Sequence, residues 1–381
     1  MKILMIGNGF DLAHKLPTSY DNFLDFCDII YRMCSSGENN ILNLINKSFS
    51  DYPELKDRLI KISQDSPKEH NIIKDFYELT NNNIWLQYLK KQRKNKKRNL
   101  GKNWIDIEAE ISKKVTYLEQ QNRFLTTDLE IVDLVKIKNS ADYNLHIHDD
   151  AYINFEFIHL LETHLNVMIR ALEIYLVEFV ETLKISEIPL INNIKPQLVL
   201  SFNYTNTYSK VYGNNNKILD CHHIHGLAQC KNTVDTNNMV LGISESLSDN
   251  EKNTNLQFIS FKKYFQRIYK KTGNKYLQWL EIDKPQKYNV YDPIHFNPKA
   301  DPIFELYIYG HSMDITDGDV IKRFLLRVDT VTTIYYIEKN DLKSKIANLV
   351  KIIGQECKLR SNGMPVPLLR NGYSIFNGTK Y

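Results

Sequence analysis

Met1-Lys-Ile-Leu-Met-Ile-Gly-Asn-Gly-Phe-Asp-Leu-Ala-His-Lys-Leu-Pro-Thr-Ser-Tyr20 opens the chain, and the rest is read outward from it. Lys2 to Ile6 is a short apolar run, the length of a strand buried on both faces of a parallel sheet. Gly7-Asn8-Gly9 follows at once, where the strand must turn. Glycine at positions 7 and 9 permits positive φ and removes the Cβ that would hold a phosphate away from the backbone. Phe10 to His14 reads as the start of a helix, whose unpaired N–H groups and positive dipole end favour an anion. This is the grammar of a nucleotide site in an α/β fold. The third glycine of G-x-G-x-x-G is absent, because Leu12 stands there. On the glycines alone, a bound ligand and a bare tight turn stand equal.

Two further stretches have the same strand-then-helix form. Leu198-Val-Leu-Ser-Phe202 ends at Asn203, and Phe304-Glu-Leu-Tyr-Ile-Tyr309 ends at Gly310, with a polar turn before the helical Val320 to Leu326. Thr330 to Glu338, rich in β-branched and aromatic residues, adds a strand. Gly, Asn and His at the carboxyl ends of such strands stand where open α/β sheets bind ligands. The expected architecture is therefore a Rossmann-like parallel sheet, formed by residues 1–26 and 195–340. Residues 27–194 change to helical periodicity and read as a helical insertion. Its clearest stripe is Phe157, Leu161, Leu165, Met168, Leu172, Tyr175, Phe179 and Leu183, a long amphipathic helix facing a core. Residues 341–381 read as a last helix, over Ile346 to Cys357, and an irregular tail.

The formal net charge is only +4 over 381 residues, which gives no ground for a nucleic-acid partner. Eight of the cations crowd between Lys90 and Lys102, with no aromatic residue interleaved, and read as an exposed loop between helices. Met1 to Ile6 is too short for the apolar core of a signal peptide, and no apolar run approaches a membrane span, so a cytoplasmic protein is expected. Five cysteines, an odd number, argue against a disulfide framework. Cys221-His-His-Ile-His225 with Cys230 fits neither paired C-x-x-C knuckles nor a zinc finger, so no metal is expected. The better reading is a strand over Cys221 to Ile224 that delivers His225 to a site at its end. Asp106 and Glu108, after Trp104, share a face on a strand but not on a helix.

Gly-Asn-Gly-Phe-Asp-Leu-Ala-His with Leu-Pro-Thr-Ser-Tyr resembles the opening signature of the AbiH family of bacterial phage abortive-infection proteins. Trp104-Ile-Asp-Ile-Glu108, Phe202-Asn-Tyr-Thr-Asn-Thr207, His223-Ile-His-Gly226 and Tyr309-Gly-His-Ser-Met-Asp314 are similar to family motifs in the same order. Lys15 departs from the pattern, which usually has glycine before Leu-Pro. A more distant resemblance is to sirtuin-type (SIR2-like) NAD-binding domains. Gly7, Gly9, Leu16 and Pro17 fall at their spacing, with Asp11 in place of a serine. Asn203-Tyr204-Thr205 resembles their Asn-x-Asp element with threonine for the second polar residue. His225-Gly226 looks like their His-Gly pair, and Gly310-His-Ser-Met-x-Asp is similar to a closing element of SIR2-like defence NADases.

That resemblance implies NAD as substrate or ligand. Cleavage of the nicotinamide–ribose bond needs little covalent help, since the leaving group is a cationic pyridinium and the transition state resembles an oxocarbenium ion. Asn203 and His225 are the catalytic residues it implies, the first orienting ribose or water and the second accepting a proton, a role suited to imidazole. Gly7, Asn8, Gly9 and Phe10, in the glycine turn and the helix after it, would hold the pyrophosphate, with Asp11 by a ribose or phosphate-bound water and Pro17 also among the cofactor-binding residues. Tyr204, Gly226, Gly310, Ser312 and Asp314 would line the remainder, the last two on the adenosine side. The expected reaction is NAD+ hydrolysis on infection. Its rival is a module that senses NAD or ADP-ribose without turnover, favoured by Thr205, and the insertion could serve as lid, sensor of a phage trigger or homo-oligomer contact.

Overall fold

The structure is a computed structural model that describes residues 1–35, 40–65, 67, 70–100, 106–121, 155–213, 220–244, 256–281, 304–327 and 330–354. Trp104, Lys102, Cys357 and the tail from Arg360 lie outside the described residues. In chain order the elements are β1 (Lys2–Ile6), α1 (Asn8–Ala13), α2 (Tyr20–Ser35), α3 (Ile41–Ser48), α4 (Pro53–Gln64), α5 (Asn71–Thr80), α6 (Ile84–Leu100) and α7 (Ile107–Gln121). There follow α8 (Phe155–Ile174), a π-helix (Tyr175–Val180), α9 (Pro189–Ile194), β2 (Leu198–Ser201), α10 (Thr207–Tyr212) and β3 (Asp220–His223). Past a 3₁₀ turn at Ile259–Phe261 come α11 (Lys263–Tyr269), α12 (Lys275–Glu281) and β4 (Phe304–Tyr309). A second 3₁₀ turn (Ile315–Asp317) leads into α13 (Gly318–Leu325), β5 (Thr330–Ile334) and α14 (Lys339–Ile353).

The chain divides into two compact units. The first comprises Met1–Leu16, Lys184–Leu227 and Thr272–Tyr381, and the second Pro17–Leu183 and Ala228–Lys271. The first holds a five-stranded sheet of order β3-β2-β1-β4-β5, parallel at every pairing. This is the doubly wound α/β arrangement, with its switch point between β1 and β4, where the winding reverses. Both faces of the sheet are covered. Ile3, Met5, Leu200, Leu306 and Ile308 pack with Val320, Ile321, Phe324 and Leu349 on one side. Leu4, Ile6 and Val199 pack with Phe10, Ile191, Tyr208 and Tyr212 on the other. Period-2 alternation thus places every β1 residue from Ile3 to Ile6 in one core or the other, each burial contributing about 1.5–3 kcal/mol.

In the second unit, the stripe predicted along α8 is buried from Phe157 to Phe179. The helix widens into a π turn at Tyr175 and stops at Val180, so Leu183 falls in the turn beyond and is half-buried. Phe26 from α2 sits within 4.9 Å of Phe76, Tyr175 and Phe179, ring centre to ring centre. The basic stretch departs from the expected loop: Ile84–Leu100 is a helix. Asp21, Asp25 and Asp28 recur at helical spacing on α2, and Arg93 lies 3.8, 2.8 and 3.4 Å from them. Lys90 pairs with Asp28 at 2.6 Å and Lys96 with Glu110 at 2.7 Å. Lys90, Arg93 and Lys96, three of the eight cations of the stretch, are thus paired with carboxylates. Lys15 takes a left-handed φ of 58°, which explains physically why glycine suits that position.

Candidate functional site

All the groups considered first lie in the sheet unit, at the carboxyl ends of its strands. β1 delivers the Gly7-Asn8-Gly9 turn, and the loop after β4 closes on it. Gly7 N–H donates to Tyr309 O at 3.2 Å, Gly9 N–H to Gly310 O at 2.7 Å and Phe10 N–H to Gly7 O at 2.8 Å. A Cβ added to Gly7 would lie 2.7 Å from His311 Cα, and one added to Gly9 2.7 Å from Gly310 Cα. Gly310, at φ +65°, has Phe10 N and the Gly9 carbonyl carbon directly in the path of a Cβ. The close approach that these glycines permit is therefore made by a neighbouring loop of the same chain. Asn8 faces solvent at the apex of the turn.

β2 ends in Phe202-Asn203-Tyr204-Thr205. Asn203 is buried, and its amide nitrogen donates to Gly7 O at 3.0 Å, tying the ends of β2 and β1 together. Thr205 Oγ1 donates to Asp11 Oδ2 at 2.6 Å, and Thr207 Oγ1 donates to Thr205 Oγ1 at 3.1 Å. Asp11 and Thr205, each a departure from the sirtuin-type pattern as are Thr18-Ser19-Tyr20, thus hold each other, carboxylate on α1 and hydroxyl after β2. Phe10 and His14 turn to the α1 side of the sheet. His14 donates from Nδ1 to Phe10 O at 2.7 Å, and its Nε2 accepts from Tyr212 OH at 2.7 Å. Burial lowers the His14 pKa, in keeping with this neutral, doubly bonded imidazole.

The three clustered histidines part company. His222 Nε2 donates to Thr272 O at 3.0 Å and its ring stacks on Tyr276. His223 Nδ1 donates to Asn203 O at 3.1 Å. Burial lowers both pKa values and pushes the Cys221 thiol up to about 11, which leaves that thiol a poor metal ligand. Among the described residues no group of three or more His, Cys, Asp or Glu side chains is placed to hold a metal ion. The strand stops at His223, two residues short of His225. Gly226 then turns the chain at φ 82°, its N–H donating to His223 O at 3.1 Å.

His225 is 3 % exposed, and its Nε2 lies 3.0 Å from Asp317 Oδ1. The other carboxylate oxygen of Asp317 lies 3.5 Å from His311 Nε2. Phe202 wedges between the two imidazoles, its ring 5.5 Å from that of His225 and 4.3 Å from that of His311. Tyr204 lies 6.4 Å from the His225 ring. His311 Nδ1 accepts Met313 N–H at 2.9 Å, so the ring carries its proton on Nε2, toward Asp317. From α14, Lys345 donates to His311 O at 2.6 Å and Asn348 to Ser312 O at 3.1 Å, which fixes the loop after β4.

Of the predicted residues, Gly7, Gly9, Phe10, Asp11, Asn203, Tyr204, His225, Gly226 and Gly310 gather along this edge. Asp314 instead caps the 3₁₀ turn, its Oδ1 accepting Thr316 N–H at 2.9 Å, and Ser312 is exposed. Pro17 belongs to the second unit, where its carbonyl accepts the Tyr175 hydroxyl at 2.6 Å. Asp106 caps α7 by accepting Ala109 N–H at 3.0 Å, and Glu108 pairs with Lys263 at 2.8 Å, so the two carboxylates act separately. Sequence reasoning missed Asp317 and His311. The available signal was a second acid three residues after Asp314 in the same polar turn, and spacing alone does not choose between them.

A family model described as "Bacteriophage abortive infection AbiH" matches residues 3–337, nearly the whole chain. No curated protein and no solved structure matches the chain significantly.

Proposed function

Because this chain belongs to the AbiH family of bacteriophage abortive-infection proteins, we propose that it serves that defence by hydrolysing NAD+ to nicotinamide and ADP-ribose. The observation that carries the reading is the gathering of Gly7, Asn203, His225 and Gly310, from four distant parts of the sequence, along the carboxyl edge of the sheet at its switch point. NAD+ brings a bond already activated by its cationic leaving group. His225 accepts the proton of the attacking water or of a ribose hydroxyl, and Asn203 holds the Gly7 turn against the end of β2 while presenting its amide to the ribose. Asn8 presents the exposed side of the glycine turn to the phosphates, because the N–H groups of Gly7, Gly9 and Phe10 are already bonded within the protein. The balance is NAD+ plus water giving nicotinamide, ADP-ribose and a proton. One fact favours a second reading, a module that senses NAD or ADP-ribose without turnover: one of the two N–H donors of the Asn203 amide is already engaged by Gly7 O.

The test is NAD+ loss and nicotinamide release by purified protein, beside His225→Ala and Asn203→Ala. The hydrolase reading expects turnover in the wild type and a loss of about 10²–10⁴-fold without His225. Absence of turnover, with NAD or ADP-ribose still raising the thermal midpoint, would replace it by the sensing module. Neither turnover nor binding would remove both.

A further inference from the structure

The structure sets the Asp317 carboxylate against His225, and nothing in the motif pattern singles it out. It stands in the 3₁₀ turn after β4 and is 7 % exposed. Its two oxygens face two imidazoles, 3.0 Å from His225 Nε2 and 3.5 Å from His311 Nε2. The tautomer of His311 is set by Met313 N–H on Nδ1, so His311 is a proton-bearing neighbour that partly neutralises the carboxylate. His225 has the carboxylate at one nitrogen, the Phe202 ring edge-on and the Tyr204 ring beyond. Lys345 donates to the His311 carbonyl and lies 3.3 Å from Asp341. Burial makes an opposing charge at this distance effective, since little water intervenes to screen it.

We propose that Asp317 is the positioning residue for His225, and that His311 moderates it by sharing the carboxylate. Asp317 does not touch the reacting atoms. Its charge, 3.0 Å from His225 Nε2, favours the tautomer that carries the proton there, leaves Nδ1 as the nitrogen that accepts a proton, and stabilises the imidazolium once formed. His311 draws off part of that negative charge, so the basicity of His225 is set by the competition of two rings for one carboxylate. This assignment rests on His225 acting as the base, as proposed above.

The sign of each perturbation follows. Asp317→Asn removes the charge that favours imidazolium, so the His225 titration midpoint falls by about one to three pH units. His311→Phe keeps a ring against Phe202 but removes the shared proton, so the same midpoint rises. The two variants therefore move one residue in opposite directions, which loss of packing would not do. The measurement is the titration of His225 by NMR in the wild type, Asp317→Asn and His311→Phe, with kcat and KM for NAD+ from pH 5 to 9 alongside. The expected kinetic result is a kcat lower by about 10²-fold or more in Asp317→Asn, with KM little changed and the acid limb displaced downward. Asp317→Glu, which keeps the charge, should recover part of it. Unchanged His225 midpoints in both variants, or shifts in the same direction, would overturn the assignment. Should the wild type fail to turn NAD+ over while the midpoints move oppositely, the carboxylate role stands and the hydrolase reading fails. Should turnover occur with Asp317→Asn at wild-type kcat, the hydrolase stands and Asp317 has no part in it.

Discussion

Gly310→Ala tests the construction of the site without reference to any ligand. The added methyl enters space held by Phe10 N and the Gly9 carbonyl carbon and stands 2.8 Å from Gly9 Cα, where an ordinary contact needs 3.4 Å or more. Phe10 N, the atom nearest the added methyl, sets the requirement: the loop after β4 must back away from the β1 turn by more than about an ångström, stretching the Gly9 N–H to Gly310 O bond from 2.7 Å. Three costs arise: about 1–2 kcal/mol for left-handed backbone on a non-glycine residue, about 1–3 for the compromised buried bond, and about 1–3 for overpacking. Together they come to about 3–8 kcal/mol, a large part of the 5–15 typical of a domain. Gly273 supplies the control. It lies in the same unit at φ +84°, but a Cβ there meets nothing nearer than His222 Nε2 at 3.9 Å, so Gly273→Ala should cost only about 1–2 kcal/mol. Urea denaturation of the wild type and both variants gives the comparison, with unchanged m values expected. Equal losses in the two variants would mean that the loop does not press on the glycine turn, and the described closure of β4 on β1 would be wrong.

Two further outcomes are expected. Lys270 is half-buried with its Nζ on Met239 O, and desolvation takes its pKa from 10.5 down to about 8, so between those values the unfolded chain binds the additional proton and stability rises with pH. Relative to Lys270→Met, the wild type should gain up to about 3 kcal/mol between pH 7 and 11 by urea denaturation, and a flat difference would refute the shift. Asp11→Ala and Thr205→Ala, measured singly and together, should show a coupling of about 1.5–3 kcal/mol for their hydrogen bond of 2.6 Å, and additive losses would show that the pair is not formed.

Much of the architecture was legible because it rests on local pattern. A run of four consecutive apolar residues, Ile3 to Ile6, has to be covered on both faces, and a parallel sheet with helices on either side covers it. The strands at Leu198, Phe304 and Thr330 announce themselves in the same way, and the stripe along α8 follows the 3.6-residue period. The basic stretch at Lys90 was not legible, because its partners Asp21, Asp25 and Asp28 lie more than sixty residues earlier. Motif residues at strand ends could be listed from the sequence, but their partners could not. That the turn at Gly7 and Gly9 accepts the Gly310 backbone, that Asp11 meets Thr205, and that Asp317 rather than Asp314 faces His225 are distances between segments as much as 300 residues apart. Periodicity and turn chemistry act through neighbours along the chain, and so the sequence by itself determined a Rossmann-like parallel sheet with Gly, Asn and His at its strand ends, while the strand order came from the structure. Packing and the sharing of buried polar atoms act through space, and only the tertiary structure decided which carboxylate serves His225 and what fills the space above the glycines.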